Sequence, residues 1–122
     1  MAPFLSPSWV AALGRAAETA MVGPDVRLTI RQVVDDVGWT IRMEGGRVTV
    51  NGGDPRERAD VTLRTDRRTA QSLVRGELGA QDALLVGRLR MEGDVAALLR
   101  VAPALAVLPD LFATVRADTT YD

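Results

Sequence analysis

The chain has 122 residues, enough for one domain with a genuine core and too few for two. Its 15 basic and 16 acidic residues leave a net charge of −1, so no global field draws it to nucleic acid or an anionic membrane. Cysteine, histidine and lysine are all absent, which removes disulfides, thiolate nucleophiles, zinc knuckles, imidazole bases and Schiff bases.

Met1–Ser8 carries neither the basic segment nor the apolar run of a secretory signal. Ser6-Pro7 reads as a helix start, with serine as N-cap and proline at the first helical position. Trp9, Val10, Leu13, Ala16, Ala17 and Ala20 then recur at helical spacing until Gly23-Pro24. Val26–Val34 alternates as a strand, with Val26, Leu28 and Ile30 on one side and Arg27, Thr29 and Arg31 on the other. Asp35-Asp36 marks a turn, and Val37–Glu44 repeats the alternation with Trp39, Ile41 and Met43 inward. Gly45-Gly46 turns the chain into a third strand holding Val48 and Val50, and Asn51–Arg58 is a polar loop.

Strand four, Asp60–Thr65, places Val61 and Leu63 inward. Asp66 caps a helix carrying Ala70, Leu73 and Val74, which Gly76 ends. A short apolar helix, Ala80–Val86, is stopped by Gly87. Arg88–Glu92 is strand five, with Leu89 and Met91 inward, and Gly93-Asp94 leads into the next helix with Asp94 as its cap. Val95 to about Val115 is helical in character, interrupted at Pro103 and Pro109, and Ala117–Asp122 has no periodicity. Five alternating strands with helices in sequence blocks predict an α+β fold: a mainly antiparallel sheet covered on one face by helices. The domain is 1–122, with 1–5 and 117–122 loose.

The last third is the physical oddity, because from Val95 to Val115 only Arg100 and Asp110 are charged. A helix apolar all round crosses a core, pairs with a partner or lines something apolar. The longest apolar run, Val101–Pro109, is far too short to span a bilayer. The strand arginines lie opposite the inward positions without interleaved aromatics, as in a solvated face with cross-strand charge pairs and unlike a nucleic-acid binder. Asp35-Asp36 are adjacent turn residues that point apart, and Ser72 has no base to activate it. No catalytic residue, metal site or cofactor emerges.

The ordered set Gly76–Asp94, GELGAQDALLVGRLRMEGD, carries a resemblance. Together with Trp39-Thr40-Ile41, Glu44-Gly45-Gly46 and Ala59-Asp60-Val61-Thr62-Leu63, it resembles the sterol carrier protein (non-specific lipid-transfer protein) family over about Val26 to Val101. Arg88-Leu89-Arg90-Met91-Glu92-Gly93-Asp94 stands where that family has a lysine-rich strand and Gly-Asp pair, and Gln81 falls on its glutamine. The family's usual proline before the glutamine is Ala80 here, and Leu85-Val86 replace a more polar pair.

The resemblance implies an apolar tunnel beneath the carboxy-terminal helices and a non-catalytic carrier of a fatty acid, sterol or similar lipid. The expected lining is Trp39, Ile41, Leu73, Leu84, Leu85, Leu89, Met91, Leu98, Leu99, Leu105, Leu108 and Phe112. Gln81 either meets the ligand head group or satisfies nearby backbone amides. The expected partner is an apolar small molecule, with no nucleic acid and no integral membrane segment. Transient membrane contact, a monomer or a homodimer, and a dimerising module serving an enzyme stay open, in a cytoplasmic setting.

Overall fold

The computed structural model describes residues 2–52, 58–100, 107–117 and 119–121, without the side chains of residues 80, 81, 95, 98 and 107–110. Elements follow the chain as β1 (Ala2–Pro3), α1 (Pro7–Ala17), β2 (Leu28–Val34), β3 (Val37–Glu44), β4 (Arg47–Asn51) and β5 (Val61–Thr65). Then come α2 (Arg67–Arg75), α3 (Ala80–Leu85), β6 (Leu89–Gly93), α4 (Val95–Arg100), α5 (Val107–Arg116) and β7 (Thr119–Thr120). The main sheet has five strands in the order β4-β3-β2-β5-β6, antiparallel except for the central β2–β5 pair. This is the mainly antiparallel α+β fold that the alternation predicts.

Local chemistry sets the element ends. The Trp9 N–H donates to Ser6 Oγ at 3.2 Å to cap α1, and Pro7 occupies the first turn, where an amide is not needed. The Thr69 N–H donates to Asp66 Oδ1 at 2.7 Å to cap α2, and the Ala97 N–H donates to Asp94 Oδ1 at 3.0 Å over α4. Gly76 ends α2 at φ 78°, a left-handed stop that any side chain would strain. Asp35 takes φ 52° in the β2–β3 turn, a conformation its short polar side chain tolerates.

Register builds the inner face row by row. Leu28 faces Met43, which faces Val48; Ile30 faces Ile41, which faces Val50. Gln32 lies between Trp39 and Leu63, and Leu63 faces Met91. Trp9, Leu13, Leu28, Ile30, Ile41 and Met43 form the sealed part of the core, under α1. On the other face Arg27 pairs with Glu44 at 2.8 Å and Arg64 with Glu92 at 2.9 Å, so this arginine face is cross-linked by charge. Each exposed pair adds little stability.

Two expectations are corrected. The segments expected to be loose are packed where they are described: Ala2–Pro3 pairs in parallel with Thr119–Thr120, and Phe4 and Leu5 are buried. The Trp9 indole N–H donates to Thr119 Oγ1 at 3.1 Å, and that hydroxyl donates to the Val115 carbonyl at 2.7 Å. The Tyr121 ring packs 5.4 Å from Phe4 and beneath the Arg75 guanidinium. Short segments without periodicity can still be held by a few aromatic and polar contacts. Nor does Pro109 interrupt the last helix; it lies in the first turn of α5, where amides have no intrahelical acceptor. The expected break at Pro103 lies outside the described residues.

Candidate functional site

The inner face is not sealed along its whole length. Toward β5 and β6 the sheet carries Gln32, Val34, Leu63, Thr65, Leu89 and Met91, with Trp39 beside them edge-on against Trp9 of α1 at 5.2 Å, beneath Ala70, Leu73 and Val74 of α2 and Phe112 of α5. Between them lies a cavity of about 390 Å³. Gly76, Gly79, Leu84 and Arg116 line it while also being exposed, and they mark its rim. This volume falls in the ordinary range of small-molecule sites. A fully enclosed empty apolar void of that size would cost on the order of 9 kcal/mol by cavity scaling, and the opening at the rim lowers that cost. Such a hollow favours an apolar occupant.

The polar groups in the wall are few. Thr65 Oγ1 donates to the Arg88 carbonyl at 2.7 Å, so its hydroxyl is engaged with the strand beside it. Arg116 Nε donates to the Val74 carbonyl at 2.7 Å, which caps the end of α2 and fixes a guanidinium at the rim. Gln32 Oε1 and Trp39 Nε1 are shielded and have no hydrogen-bond partner among the described residues. Among the described residues, no three acidic side chains come together as a metal site would require. The carboxyl of Asp66 is held below its ordinary range, chiefly by the Thr69 N–H, and it serves α2 as a cap.

The expected lining divides. Trp39, Leu73, Leu84, Leu89, Met91 and Phe112 are brought together in the cavity wall. Ile41 is 1% exposed and packs in the sealed core, because its row lies under α1. Leu85 and Leu99 do not line the cavity: at 79% and 68% exposed, they project from α3 and α4. On α3, Ala83 is buried and Leu84 borders the cavity, and the next step of about 100° round the helix turns Leu85 to solvent. Leu105, together with the side chains of Gln81, Leu98 and Leu108, lies outside the described residues.

Sequence reasoning missed Phe4, Gln32 and Arg116, all of which line the cavity. Gln32 was within reach: Leu28, Ile30, Gln32 and Val34 continue one alternation, so a polar residue sits at an inward position of the central strand. Phe4 and Arg116 come from the two ends of the chain, and no local period announces them.

A sequence search among curated proteins gives no match. Among solved structures, a crystal structure of sterol carrier protein 2 is similar with a TM-score of 0.66 and 19% identity, over 93% of this chain and 97% of that one. A solution structure from Thermus thermophilus, of a conserved hypothetical protein named as a candidate sterol carrier protein, gives a TM-score of 0.68 and 21% identity. It covers 89% of this chain and 87% of its own. The sec-alkyl sulfatase PisA1 gives a TM-score of 0.59 at 17% identity over 72% of this chain, which spans 15% of that enzyme's length. At these identities the likeness is one of fold. The model of the SCP-2 sterol transfer family matches residues 16–106, well over half of the sequence, and the chain belongs to that family.

Proposed function

We propose that this protein binds and carries an apolar small molecule, a fatty acid, sterol or similar lipid, without changing it chemically. The observation that carries this reading is the 390 Å³ cavity between the sheet and helices α2, α3 and α5, walled largely by aliphatic and aromatic side chains. Family membership supports it. Binding driven by apolar area gains about 0.8 kcal/mol per buried methylene, so neighbouring chain lengths differ only about fourfold in affinity. The Arg116 guanidinium at the rim suits an anionic head group left near solvent.

Native mass spectrometry of protein purified under mild conditions tests the proposal, with uptake of a fluorescent fatty acid as the companion measurement. Co-purifying lipid and saturable uptake are expected. A ligand-free mass together with no uptake would overturn it.

A second reading is an interaction module serving a partner enzyme. The exposed Leu85, Val86 and Leu99 favour it, as does a similar fold within the much longer sulfatase. Analytical ultracentrifugation of delipidated protein separates the two readings. A tight dimer indifferent to lipid favours the interaction module, and a monomer that takes up lipid favours the carrier.

A further inference from the structure

We propose that Gln32, with Trp39 beside it, is a polar anchor inside the cavity that selects ligands bearing a neutral hydrogen-bonding oxygen, a hydroxyl above all, over bare hydrocarbon. The inference rests on the carrier reading and deepens it. Gln32 occupies an inward position of β2, the middle strand of the sheet, in register with Trp39 on one side and Leu63 on the other. All three side chains line the cavity.

An amide on that face is costly to bury unless something bonds it. Yet Gln32 Oε1, an acceptor, and Trp39 Nε1, a donor, are both shielded and without a partner among the described residues, and Trp39 is 3% exposed. Native proteins seldom leave such groups unmatched. The other polar groups of the wall are engaged, Thr65 with the Arg88 carbonyl and Arg116 with that of Val74.

A donor and an acceptor on facing residues of an antiparallel pair, whose Cβ atoms stand about 5 Å apart, match one chemical group closely. A hydroxyl accepts from the indole N–H and donates to the amide oxygen. A carboxylate only accepts, so it would satisfy the indole and leave Oε1 unmatched. Gln32 is half-buried and borders the cavity, and its shielded oxygen would reach a bound ligand by rotation about its terminal torsion. Chain length is set by the apolar wall and head-group chemistry by this pair. Anionic ends are left to Arg116 at the rim.

The test measures displacement of a fluorescent fatty acid by 1-dodecanol and by dodecane, from the wild type and from Gln32→Leu. The anchor predicts that the preference for the alcohol, expressed as the ratio of the two dissociation constants, falls about tenfold in the variant. It also predicts that ligand-free Gln32→Leu melts no lower than the wild type, since a polar group without an internal partner has been removed. Gln32→Met, with a more flexible side chain, repeats the measurement should the branched leucine fold poorly.

An unchanged ratio in a variant that still binds both compounds overturns the anchor and leaves the carrier reading standing. A clear loss of ligand-free stability in both variants, with the ratio unchanged, shows instead that Gln32 and Trp39 satisfy each other, and also overturns it. Failure of the wild type to bind the fluorescent fatty acid at all removes the carrier reading itself.

Discussion

One face of one sheet ends up solid at one end and hollow at the other. Under α1, the rows Leu28–Met43–Val48 and Ile30–Ile41–Val50 are closed by Trp9 and Leu13, with Trp9, Ile30 and Met43 at 0% exposure. Gly14 lets the helix come down onto β4, since a Cβ there would stand 3.2 Å from the Val50 carbonyl oxygen. Toward β5 and β6 the rows Gln32–Leu63–Met91 and Val34–Thr65–Leu89 have the same alternation, yet Leu63 and Met91 remain partly exposed beneath α2 and α5. Packing density follows how closely a helix can approach, and hydrophobicity of the strands does not decide it. The solid end holds the close-packed rows of the core, and the hollow end leaves space beneath α2 and α5.

Truncating one side chain at each end should separate the two regions most strongly. Leu13→Ala should cost about 3 kcal/mol, because it opens a void in a packed region, whereas Met91→Ala should cost about 1 kcal/mol, since its surroundings are already open. Urea unfolding of the two variants checks this, and equal losses would mean that the hollow end is as tightly packed as the other.

Filling the hollow is the complementary experiment. Ala70, at 4% exposure, lies in the cavity wall, and Ala70→Leu should lower fatty-acid uptake at least tenfold while leaving stability unchanged or raising it by about 1 kcal/mol. An unaltered uptake curve would place the ligand elsewhere.

A smaller effect is expected where α2 begins, at the helix that roofs the hollow end. Asp66→Ala should destabilise by about 1 kcal/mol at neutral pH through loss of the cap on the Thr69 amide. Because that hydrogen bond lowers the folded-state pKa of Asp66, its contribution is complete above the unfolded-state pKa and is lost as pH falls through the folded one. The gap between wild type and variant should therefore narrow in acid, as thermal melts across a pH series would show. The smallest effect belongs to Leu99→Arg: with the side chain 68% exposed and outside the cavity, both uptake and circular dichroism should stay native. A loss of uptake would bring α4 into the site.

Much of this was legible locally. Period-two alternation places β2 through β6, and the caps Ser6, Asp66 and Asp94 with the stop at Gly76 place the helices within a residue or three. The same alternation, followed one step further, brings Gln32 to the inner face. What no local pattern contains is which inward residues meet a helix and which meet space. Ile41 and Trp39 are two residues apart on one strand and look equivalent by period, but the first is sealed in the core and the second, packed against Trp9, also borders the cavity. Leu84 and Leu85 are equally apolar, and only the docking of α3 against β6 separates wall from surface. Phe4 enters the wall because β1 and β7 join the chain ends, a contact across almost the whole sequence, and Arg116 because α5 packs against α2. Sequence alone determined the five strands of the main sheet, the helix starts at Ser6, Asp66 and Asp94, and the inward faces of the strands, because torsional preference and solvent exposure act residue by residue. The hollow and its membership were decided by tertiary structure, because a void is a property of the distance between layers.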